Sequence, residues 1–385
     1  MVRGLLARLG LLLASILIAL ALAEGALRLF GYAGDVERTE TVAHPRYGHV
    51  RADSWIFDLP AELSGRAKIT IGGRLVPLEK GRGERRVLFL GDSGTEGTYV
   101  PVGSSYPYQL EELLDQANPQ NRTVVINAGV WGMTTSDELH FLEDKLLPLA
   151  PDVVVIGFFL ANDINFNLAQ GADASDSRLG RAALALRRHS ALAHFLELQA
   201  LVLSSRVRRL GALGRIVAPG ATGFVDERGL HMLSYPEGEL AIYHREPSAL
   251  VERSYDVLEE LLARFRDLGR EHGFSPRVFL IPTPSSVVGR LAILHHPDII
   301  AELAARGVVI SEGDLDFAEP SRRVRRICRG LGIVCIDPTA SLRELGLRAY
   351  LPGDEHPSEL GHRRLAEVLF ANRGLLLGSS GPTVN

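Results

Sequence analysis

The sequence predicts an α/β fold, a three-layer α/β/α sandwich with about five parallel strands. Short apolar runs of strand length recur along the chain, and stretches of helical spacing lie between them. Those runs are apolar at consecutive positions rather than alternate ones, the pattern of strands buried on both faces by helices. Strands joined through helices pair in parallel by right-handed crossovers, so polar residues just after the strand ends collect at one edge of the sheet.

The elements follow in order. Arg86–Gly91 (RVLFLG) is a buried strand ending at glycine, and Tyr108–Gln116 has helical spacing. Thr123–Asn127 (TVVIN) is the second strand, and Ser136–Leu147 is a helix with Ser136 as its N-cap ahead of Asp137 and Glu138. Asp152–Phe159 (DVVVIGFF) is the third and most apolar strand. After Asn162 the pattern breaks for about eighty residues, too long for a connection and therefore an insertion, placed at about 164–246. Within it Arg181–Leu210 is a basic amphipathic helix, and Pro219–Tyr243 is irregular or hairpin-like. That helix suits a cap over the site edge, a membrane-surface element or ordinary packing. Alternation resumes with a helix at Ser248–His272 and a strand at Arg277–Ile281. A smaller insertion around His295–Asp314 precedes the helix Ala318–Arg329, the strand Gly332–Ile336 and the helix Pro357–Asn372.

The main domain is thus expected over 86–376, after a stalk and lead-in at 32–85 with a short strand at Lys68–Ile71, and before a tail at 377–385. Residues 1–31 read as a membrane anchor or signal segment. Arg3 and Arg8 precede the uncharged run Leu9–Ala23, and apolar character resumes beyond Glu24. Ala21-Leu22-Ala23 also fits a signal cleavage site. Both readings keep the basic end inside and place the catalytic body outside the cytoplasm, either tethered by a single span or secreted after cleavage.

Composition narrows the function. The 385 residues are 46% hydrophobic and 23% charged, ordinary for a packed globular chain. A net charge of -4 offers no basic surplus for nucleic acid. Two cysteines, Cys328 and Cys335, are too few for zinc-finger or iron–sulfur ligation, and no metal or cofactor is expected. They flank a turn, where a disulfide in an oxidising compartment and two buried thiols are both open. His295-His296 has no convergent ligand set around it.

Gly91-Asp92-Ser93-Gly94-Thr95-Glu96-Gly97 follows the first strand directly. The letters Gly-Asp-Ser-Gly also surround the nucleophile of trypsin-like proteases, but that fold is all-β with its His and Asp upstream. The Gly-x-Ser-x-Gly elbow fails because position 95 is Thr. The glycine spacing matches neither the dinucleotide nor the P-loop fingerprint. The segment instead resembles block I of the SGNH (GDSL-like) hydrolases. Asn127-Ala128-Gly129-Val130-Trp131-Gly132 is similar to block II, Ala161-Asn162-Asp163 to block III, and the stretch from Gly353 to His362 to block V. The resemblance spans Arg86 to about Asn372 apart from the insertions, and implies a flavodoxin-like sheet.

It also implies Ser93 as nucleophile, His356 as its base and Asp354 as the acid behind it. A serine hydroxyl needs an adjacent base, and a carboxylate at the far imidazole nitrogen holds the required tautomer. The oxyanion that forms on attack would be held by the backbone N–H groups of Ser93 and Gly129 and the Asn162 side chain. Two positions depart from the family pattern. The acid lies two residues before the histidine, where many members have it three before, a spacing that resembles exported alginate O-acetylation proteins and anchored relatives. Leu160 stands where block III usually has glycine. Asp92 is read as a loop-bonding residue and His362 as a surface or packing residue.

The expected activity is therefore that of a serine esterase acting on an acyl ester, with a cell-envelope glycan as the substrate class. The alternatives are an O-acyltransferase working with an acyl-donor membrane protein, and an inactive envelope binding module.

Overall fold

A computed structural model describes residues 15, 18–26, 29, 41–44, 48–51, 68–71, 74–120, 123–169, 224–233, 237–292, 296–352 and 354–378. The chain divides into two compact units. The first comprises Met1–Pro45, Arg51–Asp53 and Asp173–Ile216, in which residues 18–26 are helical and Thr41–His44 is a strand. Most of the N-terminal segment 1–31 and all of the Arg181–Leu210 helix lie outside the described residues. Among the described residues no helix is long and apolar enough to cross a membrane.

The second unit, Arg46–Val50, Ser54–Ala172 and Val217–Asn385, holds a five-stranded parallel sheet. Its strands are β1 (Arg85–Gly91), β2 (Thr123–Asn127), β3 (Val153–Phe159), β4 (Ser275–Ile281) and β5 (Val334–Ile336). They lie in the order β2-β1-β3-β4-β5, all parallel. The order reverses beside β1, and open α/β sheets place their sites outside the carboxyl ends of the strands at such a point. The predicted architecture is the observed one. Lys68–Ile71 is also a strand, paired antiparallel with Arg74–Pro77.

Burial explains the continuous apolar runs. Val87 and Phe89 of β1 face one side of the sheet and Leu88 and Leu90 the other, and all four are fully buried. On the first side Val87 and Phe89 join a core with Tyr106, Leu110, Leu365 and Leu369. These come from α2 (Tyr106–Ala117) and the C-terminal helix Glu359–Ala371, which pack together. The opposite side involves α3 (Thr135–Phe141), which packs against β1. After α4 (Glu237–Tyr243), helix α5 (Ala249–His272) packs on α3, β4 and α6 (Glu319–Leu331). The C-terminal helix Glu359–Ala371 is α7.

Boundaries shift where capping chemistry overrides spacing. The N-cap of α3 is Thr134 rather than Ser136, because Thr134 and Asp137 form a reciprocal capping box. Beyond Phe141 the helix widens into a π-turn, Leu142–Leu146, rather than running on as α-helix. Strand β5 starts at Val334, since Gly332 is spent as the left-handed C-cap of α6. Of the first insertion, Val225 and His231 form an antiparallel bridge, and Glu237–Tyr243 is helical. Cys328 on α6 is a buried free thiol and Cys335 on β5 a half-buried one. Hydrogen bonding to Cys328, together with burial, pushes the Cys335 thiol well up.

Candidate active site

Strand β1 ends at Gly91, and the chain turns at once into the single-turn helix α1 (Ser93–Glu96). Asp92 is its N-cap, with Oδ1 accepting the Gly94 N–H at 2.9 Å. Ser93 therefore stands at the carboxyl edge of an interior strand, 8% exposed. Its Oγ lies 2.8 Å from Nε2 of His356. The other ring nitrogen, Nδ1, hydrogen-bonds Asp354 Oδ1, and the same oxygen accepts the His356 backbone N–H at 2.8 Å. A carboxylate at Nδ1 keeps the proton there and leaves Nε2 as an acceptor facing the serine hydroxyl. Partial burial opposes ionisation of Asp354, but the His356 backbone and imidazole donors hold its carboxyl below the usual range.

The loop carrying these two residues is braced. Tyr350 and Pro357 form an antiparallel bridge at its neck, and Leu351 donates its N–H to His356 O at 2.9 Å. Tyr350 Oη donates to Pro282 O at 2.7 Å, tying the loop to the end of β4. Ser358 then caps α7 by accepting the Gly361 N–H.

Asn162, just beyond β3, donates its Nδ2 to Asp92 Oδ2 at 3.0 Å. An amide nitrogen carries two hydrogens, so one N–H is fixed by Asp92 and the second is left for another acceptor. Gly129 is packed against the back of α1. A Cβ there would come within 2.6 Å of Glu96 N, so only glycine permits this approach. The Gly129 N–H donates to Asn127 Oδ1 at 3.1 Å. To serve an oxyanion it must share that proton or release it from Asn127.

Asn127 is the positioning residue that motif reading passed over. Its Nδ2 donates to Thr95 O at 2.9 Å, clamping the end of β2 onto α1. The available signal was its place at a strand end two residues before Gly129. Tyr99 was also missed, because no motif contains it. Its ring meets His356 edge-on, with centroids 4.8 Å apart and planes at 77°.

Behind the turn sit three buried carboxyls. Burial pushes Asp92 up against the pull of its Gly94 and Asn162 donors, and pushes Glu138 and Asp163 well up. His362 is a packing residue. It is 2% exposed, its Nδ1 accepts the Tyr106 backbone N–H at 3.2 Å, and its ring stacks on that of Tyr106. Burial, with a smaller contribution from His356, lowers its pKa to about 3, so it stays neutral.

The chain thus brings Ser93, His356 and Asp354 into one line of hydrogen bonds and places Asn162 against the cap of the same turn. None of the curated proteins matches the chain. Among solved structures it is similar to the acetyl xylan esterase AlAXEase, at 14% identity over 74% of this chain and 98% of that one, with a TM-score of 0.40. It is similar to the acetylxylan esterase Axe2 from Geobacillus stearothermophilus, at 15% identity over 78% and 97%, with a TM-score of 0.38. It is also similar to TesA, at 14% identity over 76% and 99%, with a TM-score of 0.39. The model of the GDSL-like lipase/acylhydrolase family matches residues 89–289, which include Ser93, Gly129 and Asn162 but stop short of Asp354 and His356. The chain belongs to the GDSL-like lipase/acylhydrolase family, the SGNH hydrolases that act on ester bonds.

Proposed function

We propose that this enzyme is a serine esterase that removes an O-acyl group from a carbohydrate of the cell envelope by way of an acyl-enzyme. The observation that carries the reading is the 2.8 Å approach of Ser93 Oγ to His356 Nε2, with Asp354 on the opposite ring nitrogen. In this reading Ser93 Oγ attacks the ester carbonyl as its proton passes to His356 Nε2, and the carbonyl oxygen becomes an oxyanion. Asp354 stabilises the imidazolium that forms. Collapse expels the sugar oxygen, which takes the proton from His356 and leaves the acyl group on Ser93. Water, deprotonated by His356, attacks the acyl-enzyme, and the second collapse frees the acid and returns the proton to Ser93. The Ser93 N–H, the second Asn162 N–H and a shared Gly129 N–H are the donors for both oxyanions. Loss of one such donor typically costs about 2.7–4 kcal/mol of transition-state stabilisation.

Two sequence features support the carbohydrate. The Asp354-x-His356 spacing resembles that of exported alginate O-acetylation proteins, and the basic-then-apolar N-terminus fits export of the body to where envelope glycans lie. The same spacing favours a second reading, in which a sugar hydroxyl replaces water and the protein transfers the acyl group. Incubating the purified protein with 4-nitrophenyl acetate, with and without an unacetylated glycan, separates the two. Free acetate in both samples supports the esterase, and acetylated glycan replacing it supports transfer. Release of neither product above the Ser93→Ala background contradicts both.

A further inference from the structure

Among the described Phe, Tyr and Trp side chains only two are exposed, Tyr99 at 55% and Trp131 at 44%. Both stand on loops that leave the site edge of the sheet, Tyr99 just after α1 and Trp131 just after Gly129. Every other described Phe, Tyr or Trp ring is buried or half-buried.

One carboxylate pins both loops. Glu96 Oε2 accepts the Thr98 hydroxyl at 2.8 Å and the Trp131 backbone N–H at 3.1 Å. The Thr98 backbone N–H in turn donates to Ser93 O at 3.4 Å. The Tyr99 ring is further fixed by its edge contact with His356. Rings carried on loops held this way and left open to water suit a ligand with an apolar face and a polar rim. A sugar ring is such a ligand, since its C–H faces stack on aromatic rings while its hydroxyls point outward. Carboxylates suited to accept those hydroxyls stand close by: Glu96 braces the Trp131 loop, and the charges of Asp354 and Glu355 add to burial in raising the Tyr99 phenol's pKa. A long acyl chain would need an enclosed apolar slot, and rings about half open to solvent serve it poorly.

We propose that Tyr99 and Trp131 form the platform that binds the sugar ring of the ester, the ring whose oxygen departs when Ser93 is acylated. The inference rests on the esterase reading and names the part of the substrate that the enzyme grips.

The test compares glucose pentaacetate with ethyl acetate, which has the same acyl group and no ring. The quantity read is the ratio of kcat/KM for the two esters. Tyr99→Ala and Trp131→Ala are each expected to lower that ratio by about tenfold or more, through KM for the sugar ester, whereas Tyr99→Phe and Trp131→Phe keep it within about threefold. An unchanged ratio in both alanine variants overturns the platform, as does an equal loss in the variants that keep a ring. Binding is read separately by fluorescence. The chain has two tryptophans, so in a Trp55→Phe, Ser93→Ala background Trp131 is the sole reporter. Glucose pentaacetate is expected to shift its emission and ethyl acetate to leave it alone. Equal shifts, or none with the sugar, contradict the proposal. This arm needs no turnover, so it decides on the platform even where an active Ser93→Ala enzyme has overturned the esterase reading.

Discussion

Asn162 donates its side-chain amide to Asp92 Oδ2 across 3.0 Å, while Asp92 Oδ1 accepts the Gly94 N–H at 2.9 Å. One buried carboxyl group thereby joins the turn that carries Ser93 to the strand end that carries Asn162. The distance between nucleophile and amide donor is set by that bridge rather than by the loops.

Asp92 is therefore expected to act on rate through Asn162. In Asp92→Ala the Asn162 amide loses its acceptor and its fixed direction, and kcat for 4-nitrophenyl acetate should fall by about 10–100-fold with a smaller change in KM. Steady-state kinetics beside a thermal melt is the check. A normal kcat in a folded variant contradicts the bridge.

Asp354→Asn leaves the loop in place but removes the carboxylate that fixes the imidazole tautomer. A fall in kcat of about 10³–10⁴ is expected, the scale known for such a change in a serine triad. The Asp354 side chain is 39% exposed, so the melting temperature should barely move. A near-normal rate would move the acid role to another group.

His362 predicts a pH dependence of stability. Its folded pKa is lowered to about 3 while the unfolded value stays near 6.5. The linked stability is complete above about pH 6.5 and is lost as the pH falls toward 3, because the unfolded chain takes up a proton that the folded one refuses. His362→Asn keeps a short acceptor for the Tyr106 N–H without titrating. Denaturant midpoints for this variant should fall less steeply between pH 6.5 and 4 than those of the parent protein, and parallel curves would contradict the assignment.

Glu239 has the opposite sign. Burial raises its pKa to about 7 against hydrogen bonds from Tyr243, Thr283 and Ser285. The folded chain holds this proton more tightly than the unfolded one, so the linked stability is complete below about pH 4.5 and is lost as the pH rises through 7. Glu239→Gln removes the titration and keeps an acceptor for Tyr243. Stability measured from pH 5 to 8 should decline less in the variant. An identical decline would show that Glu239 is already ionised in the folded protein.

The sequence was most legible where one physical requirement fills several consecutive positions. Strands buried on both faces must be apolar throughout, so β1, β2 and β3 stood out within a residue or two. Ser93, His356, Asp354 and Asn162 were legible because each sits in a short motif tied to a strand end or the final helix. Single interactions that close over long separations were not. The strand-end place of Asn127 does not name Thr95 as its partner, and nothing local marks Tyr99 as the neighbour of a histidine more than two hundred residues later. His362 read as a surface or packing residue, and the hydrogen bond from the Tyr106 N–H settles it as a buried acceptor. Thr134 displaced Ser136 as a cap because the choice depends on which hydroxyl reaches Asp137.

The central claim is that Ser93 Oγ, activated by His356, is the nucleophile. Its most direct test is labelling of the purified protein with a fluorophosphonate probe, with the modified residue located by peptide mass spectrometry. The account predicts one adduct, on Ser93, absent from Ser93→Ala and strongly slowed in His356→Ala. Labelling that persists in Ser93→Ala, or an adduct on another residue, would contradict it.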